Sequence, residues 1–223
     1  MGISKLAVVG ATGNVGREML NILSERNFPC EEVIALASER SEGDAVPFGN
    51  KELIVQSLSS YDFSETSIAL FSAGGKISEV YGPIAAEQGC IVIDNSSKFR
   101  MDNDVPLIVP EVNIEMLEHY RTTNIIANPN CSTIQMVVAL KPLEDLASIN
   151  RINVSSYQST SGAGKAAMEE LFNQTKGIFS NQEVQPESFT KQISFNVIPQ
   201  IGPFLENGNT EEEQKMINET KKI

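Results

Sequence analysis

Gly10-Ala11-Thr12-Gly13-Asn14-Val15-Gly16 constrains this chain more than any other stretch. It follows the short apolar run Lys5 to Val9 and opens a helical pattern through Met19, Leu20, Ile22 and Leu23. A strand that ends in a glycine loop and continues as a helix lets the backbone approach a pyrophosphate, which then lies on the helix N-terminus. The spacing is G-x-x-G-x-x-G, a variant of the G-x-G-x-x-G dinucleotide fingerprint. Its bland alternative is a tight structural turn.

The alternation continues down the chain. Glu32 to Ala37, Ser67 to Phe71, Ile91 to Ile93, Leu107 to Val109 and Asn124 to Ala127 read as further strands, with a helix through Val80, Ile84 and Ala85. They end in small polar segments: Ser38-Glu39-Arg40-Ser41, Ser72-Ala73-Gly74-Gly75 and Asp94-Asn95-Ser96. This is the pattern of an α/β fold, a doubly wound (Rossmann-like) parallel sheet that binds ligands at the C-terminal ends of its strands. A helix from Cys131 is expected to kink or end at Pro142. Ile149 to Ser159 then alternates with period two and predicts a strand of a second, α+β domain. That domain continues with a helix opened by Ser161-Gly162-Ala163-Gly164-Lys165 and a strand over Ile193 to Ile198. Thr210-Glu211-Glu212-Glu213 predicts the capping box of a last helix, with Glu219 and Lys222 on one face. We place the domains at residues 1–131 and 132–223, with the chain stopping at Ile223 inside that last helix.

Composition narrows the partners. The formal net charge of −12 comes without a basic stripe, which disfavours nucleic acid and anionic membrane but not a small anion held by a few local cations. Three cysteines, Cys30, Cys90 and Cys131, form no C-x-x-C pair and fit a reducing compartment. The N-terminus runs straight into a strand, and no apolar run approaches the ~18 residues of a membrane span. A cytoplasmic, soluble protein without a resident metal is expected.

Two stretches carry chemistry. Asn128-Pro129-Asn130-Cys131-Ser132-Thr133 sets a cysteine at a strand-to-helix turn. The N–H groups of a first helical turn favour a thiolate there and offer donors to an oxyanion, so Cys131 is a candidate nucleophile toward an acyl carbon. The alternative is a buried structural cysteine. Arg40, flanked by Ser38 and Ser41, offers a cation and two hydroxyls where a 2′-phosphate would lie, which points to NADP rather than NAD. A solvated charged turn is the alternative. Arg100, just beyond another strand end, is expected to face the same crevice as Cys131.

Together these residues resemble the aspartate-β-semialdehyde dehydrogenase family. The resemblance rests on Gly10 to Gly16, Ser38 to Ser41, Phe71-Ser72-Ala73-Gly74, Asp94-Asn95-Ser96, Val109-Pro110-Glu111-Val112-Asn113, Pro129-Asn130-Cys131-Ser132-Thr133, Tyr157-Gln158 and Ser161-Gly162-Ala163-Gly164, in that order. It implies NADPH-dependent reductive dephosphorylation of L-aspartyl 4-phosphate to the semialdehyde, on the route to lysine, methionine and threonine. It also implies a homodimer with a small-molecule substrate. Cys131 would form the thioacyl enzyme and Gln158 would orient the substrate. Arg100 and Lys222 would bind phosphate, and Glu219 the substrate's amino group. Thr12, Gly13, Asn14 and Val15, with Gly10 and Gly16, Ser38, Arg40 and Ser41, Ser72 and Gly74, and Ser161 and Gly162 would line the cofactor. The family also needs a histidine acid/base and a further arginine in the second half of its catalytic domain. The one histidine of this chain, His119, lies in no such motif and reads as a surface residue. The chain therefore reads as the first two-thirds of such an enzyme. The competing readings are an N-acetyl-γ-glutamyl-phosphate reductase-like enzyme and a non-catalytic NADP-binding remnant.

Overall fold

Strand β1 (Ile3–Val9) is the middle of a six-stranded parallel sheet, and its side chains say why: Leu6, Ala7, Val8 and Val9 are all buried. Only a strand covered on both faces carries such a run. The computed structural model describes residues 3–223. After β1 the chain enters α1 (Asn14–Glu25), which turns Gly16, Leu20 and Leu23 inward, and returns as β2 (Cys30–Ala37) in parallel register. A hairpin of β3 (Ala45–Phe48) and β4 (Lys51–Ile54) forms its own small sheet. The two-residue β5 (Gln56–Ser57) then extends the main sheet beside β2. The chain crosses to the other side of β1 with β6 (Ile68–Phe71), α2 (Gly75–Glu87), β7 (Ile91–Asp94), the short α3 (Pro110–Asn113), β8 (Ile125–Ala127) and α4 (Cys131–Glu144). The order β5-β2-β1-β6-β7-β8 reverses direction between β1 and β6. The expected doubly wound α/β sheet is present, and its ligand crevice lies outside the carboxyl ends of strands at that reversal.

Apolar layers flank the sheet, one around Leu36, Phe63, Phe71 and Val92, the other around Leu6, Val8, Leu20, Leu23 and Val46. Cys90 lies in the first layer, where burial pushes its thiol up to about 12. Leu107 to Val109 is not a full strand. Leu107 makes a single bridge to Ala127, and Pro110 starts α3 at once, leaving no room for a ladder. His119 lies exposed, as expected of a surface residue, on a 3-10 helix, Ile114–Thr122. Helix α4 runs through Pro142 to Glu144, beyond the expected stop. Val138, whose carbonyl loses its partner to the proline ring, lies on the exposed side where water can serve it.

The chain divides into two compact units, Met1–Ser148 with Lys215–Ile223, and Ile149–Gln214. The division falls after α4 and not at Cys131, because α4 turns Thr133 and Val137 inward.

The second unit is built on α5 (Lys165–Ser180) and contains no strand. Residues 149–159 alternate as expected but find no neighbouring strand, and Val154 and Tyr157 stand 54% and 86% exposed. A period-two pattern becomes a strand only when another chain segment completes its ladder. Ile193 to Ile198 is likewise a turn, with Phe195 at φ 56°. Two buried polar residues of α5 hold that region: Gln174 Oε1 accepts from the Ile193 and Ser194 N–H groups, and Glu170 accepts from those of Glu187 and Ser188. The capping box opens α6 (Glu211–Lys222) as expected, the Thr210 N–H donating to Glu213 Oε2 at 2.6 Å and the Glu213 N–H to Thr210 Oγ1 at 3.3 Å.

Burial pushes the Glu170 carboxyl up, but the Ser188 and Glu187 N–H groups more than offset it and hold it below the ordinary 4.5. A depressed carboxylate stabilises above its unfolded pKa, and that stability is lost as pH falls through the folded value. The 187–194 segment should therefore lose amide protection below about pH 4.5, the unfolded value. Glu170→Gln should remove that pH limb while lowering protection at neutral pH. Hydrogen exchange across pH 3–7 checks this, and a limb unchanged in the variant would contradict it.

Candidate active site

The glycine loop closes the crevice at the sheet reversal. Gly10 sits at φ +89°, and a Cβ there would stand 3.0 Å from the backbone of Ser72 and Ala73 in the loop after β6. A Cβ at Gly16 would run into the Gly10 carbonyl. The Gly10 and Ala11 N–H groups are bound to the Leu36 carbonyl at 2.8 and 3.1 Å. Gly13 N-caps α1 without a side-chain cap, and Gly13, Asn14 and Val15 are exposed at that helix end. Bare backbone over the positive end of a helix fits a dinucleotide's pyrophosphate. On the β6 side the Ser72 Oγ donates to the Val9 carbonyl at 3.1 Å, and Gly74, at φ 87°, caps α2. At the end of β2, Ser38 caps a 3-10 turn Glu39–Ser41 with an exposed Arg40.

Cys131 is the first residue of α4 and is exposed. Asn130 caps the helix, its Oδ1 accepting from the Ser132 N–H at 2.8 Å. The end of β8 is tied to the end of β7 by Asn128 Nδ2, which donates to Asn95 Oδ1 at 2.7 Å. Beneath Asn95 the fully buried Asp94 accepts from the Ser78 and Ser96 hydroxyls, both at 2.6 Å. A thiol is thus presented on a turn with rigid supports, with helix N–H groups beside it.

Arg100 comes close to the same turn, through a partner. Its Nη1 donates to Glu219 Oε1 at 2.9 Å, and Glu219 Oε2 accepts the Asn130 N–H at 2.7 Å. Arg100 Nη2 donates to the Asn95 carbonyl at 2.9 Å. Arg100 is 7% exposed and Glu219 2%. Lys222, one helical turn on, donates to the carbonyls of Arg100, Asp102 and Val105 at 2.6–2.9 Å. Burial lowers its pKa from 10.5, against the raising effect of Asp102. The structure therefore brings together three of the expected ligand residues but turns them on one another and on the backbone.

Breaking such a buried pair from one side typically costs about 3–5 kcal/mol, because the other charge is left buried. Glu219→Ala should destabilise the unit by that order, and Arg100→Met/Glu219→Leu should recover much of it. Urea unfolding of the single and double variants measures this. Equal losses in the single and double variants would remove the ion pair as the cause.

Gln158, Ser161 and Gly162 lie in the second unit, all exposed. Gln158 packs on Gly162, where any Cβ would meet its amide.

Comparison with known proteins decides the family. Residues 5–120 match the semialdehyde dehydrogenase NAD-binding domain, and residues 140–223 the semialdehyde dehydrogenase dimerisation domain. The chain belongs to the semialdehyde dehydrogenase family. It is 55% identical over 218 residues to aspartate-semialdehyde dehydrogenase 2 of Vibrio cholerae serotype O1, covering 98% of this chain and 65% of the relative. The crystal structure of aspartate semialdehyde dehydrogenase II from Vibrio cholerae complexed with ASA superposes with a TM-score of 0.97 at 53% identity, over 100% of this chain and 66% of that one. The Candida albicans aspartate semialdehyde dehydrogenase with NADP, more distant at 27% identity and a TM-score of 0.58, covers 65% of this chain and 47% of that one. The chain thus spans about two-thirds of the length of its Vibrio relative.

In this member of the semialdehyde dehydrogenase family, two supports escaped the sequence reading. Asn95 and Asn128 read only as small polar residues at strand ends, and their mutual bond depends on β7 and β8 being neighbours. The Glu219–Asn130 link joins residues far apart in sequence and leaves no local signal. The Asn130 N-cap escaped it too, although Asn before a helical run is a helix-start signal that could have marked it.

Proposed function

We propose that this polypeptide carries the cofactor-binding and nucleophile-bearing parts of an NADP-dependent aspartate-semialdehyde dehydrogenase. The observation that carries the reading is Cys131, exposed at the first position of α4, at the C-terminal edge of a sheet whose glycine loop fits a dinucleotide. The identity to the Vibrio relative supports the substrate. The Cys131 thiolate attacks the acyl carbon of L-aspartyl 4-phosphate, the carbon–oxygen bond to phosphate breaks, and a thioester with free phosphate results. The N–H groups of the α4 first turn stabilise the oxyanion formed on the way. The nucleotide, when bound, supplies the hydride that takes the thioester to the aldehyde and frees the thiolate.

Gly10 to Gly16 would hold the pyrophosphate, Arg40 with Ser38 and Ser41 would hold the 2′-phosphate, and Ser72 and Gly74 would complete the cofactor's lining from the loop after β6. The resemblance alone assigns Ser161 and Gly162 to the cofactor and Gln158 to orienting the substrate. For Arg100 and Lys222 to bind phosphate, each must exchange a present partner: Glu219 for the first, three carbonyls for the second. Glu219 has lone pairs left for a substrate ammonium, since a carboxylate accepts about four bonds, but reaching it requires the site to open from its 2% exposure. The match to a dimerisation domain supports a homodimer, and the three unpaired cysteines support a reducing cytoplasm.

Grafting residues 1–223 onto the remaining C-terminal third of the Vibrio relative tests the reading. The graft should oxidise aspartate semialdehyde with phosphate and NADP. It should ignore N-acetylglutamate semialdehyde. The reverse preference would assign the chain to the acetylated-substrate reductases, and cofactor binding without either activity would leave a binding module.

A further inference from the structure

Beside Arg40 stands a carboxylate that this position of the fold commonly aims at the nucleotide. At the end of the second strand of a doubly wound sheet, an acid binds the ribose hydroxyls and repels a 2′-phosphate. Glu39 occupies that place. Its Oε1 instead accepts the Ser59 Oγ–H at 2.7 Å, and the Ser59 Oγ lies 2.9 Å from the Ser57 Oγ. Ser59 has one hydroxyl hydrogen, spent on Glu39, so Ser57 must be the donor to Ser59.

The relay is anchored in the sheet. Ser57 is 4% exposed and ends β5, which runs parallel to β2 with Ser57 beside Ala37. The turns after β2 and β5 therefore leave the sheet at one edge, Ser38–Ser41 from the first and Leu58–Ser60 from the second. Glu39 is drawn toward the β5 turn. Arg40, one residue on, is exposed and makes no ion pair among the described residues. Of the two adjacent opposite charges, one is occupied and the other is available.

We propose that Ser59 is a specificity-determining residue for the cofactor. By holding the Glu39 carboxylate on the β5 side, it leaves Arg40 as the charge that meets the nucleotide and so admits the 2′-phosphate. The inference rests on the NADP reading above and adds a residue outside the glycine loop and outside the Ser38–Ser41 turn.

Calorimetric titration of NADP and NAD into residues 1–223 tests it, read as the ratio of the two affinities. Wild type should prefer NADP, and Arg40→Ala should bring the ratio near one, which tests the underlying reading. Ser59→Ala should lower the ratio by about threefold to fivefold at low salt, the upper part of the range of an exposed charge interaction. Ser59→Thr, which keeps the hydroxyl, should hold the wild-type ratio. In a Glu39→Gln background the Ser59→Ala change should no longer matter, because the charge it restrains is gone. A ratio within twofold of wild type in Ser59→Ala overturns the inference, as does an equal drop in the Glu39→Gln background. A wild-type ratio near one overturns the NADP reading and this inference together. A collapse in Arg40→Ala with no change in Ser59→Ala overturns this inference alone.

Discussion

Iodoacetamide at neutral pH is expected to label Cys131 well ahead of Cys30 and Cys90. Cys131 is exposed at the start of α4, whereas Cys30 is half-buried and Cys90 fully buried. Burial pushes the Cys30 thiol up, its own backbone hydrogen bond offsetting only part of that, and burial takes Cys90 to about 12. Both keep their protons at neutral pH, and the protonated thiol is a poor nucleophile. Cys90 should react only once the chain is unfolded. Peptide mapping of a labelling time course checks the order, and simultaneous labelling of all three in the folded protein would contradict it. In the graft with the Vibrio C-terminal third, Cys131→Ser should lose turnover by on the order of 10³–10⁶-fold, as removal of a nucleophile does elsewhere. NADP affinity should stay unchanged, since the glycine loop does not depend on the thiol. Loss of cofactor binding in step with activity would mean the substitution had disturbed the fold.

The polypeptide of residues 1–223, assayed alone, is expected not to sustain turnover. The resemblance to aspartate-β-semialdehyde dehydrogenases calls for a histidine acid/base, and the one histidine here is His119. It lies exposed on the segment that leads into β8, while Cys131 lies on the segment that leaves it. Loss of positioned acid–base help typically costs about 10²–10⁴-fold. The second unit contributes a further deficit, because Tyr157, Phe172, Phe179 and Phe195 stand 68–86% exposed and residues 149–159 have no strand partner. Such a surface favours aggregation over an ordered dimer. Phosphate-dependent oxidation of aspartate semialdehyde with NADP, measured on residues 1–223 and on the graft, checks this. Rates within tenfold of each other would refute it and would point to His119 as the base.

The sequence by itself determined the first unit's sheet and the identity of the nucleophile turn. Runs such as Leu6 to Val9 are apolar on both faces, and a parallel strand buried on both sides is their simplest home. Glycines at 10 and 16 were readable because each sits where any side chain would strike backbone, a constraint local to a few residues. The strand-to-helix turn at Cys131 was readable for the same reason, and the Asn130 cap, which went unread, is equally local to one turn. The second unit was legible only as pattern. The alternation of 149–159 encodes a two-faced segment, yet a strand also needs a neighbour's N–H and C=O groups, and those are not encoded in its own residues. Glu170 and Gln174 were likewise invisible as anchors, since their partners lie about 17–20 residues away, with the backbone of a loop.

The site's charges were decided by tertiary structure alone. Arg100, Glu219 and Lys222 could be picked out by type and position, but not that the arginine and glutamate face each other, or that the carboxylate reaches the Asn130 N–H. Those bonds span 119 and 89 residues. A charge's neighbours at such separations depend on which helix the fold lays against which strand end, and here that placement converts three expected ligand residues into a buried pair and a cation bound to backbone carbonyls.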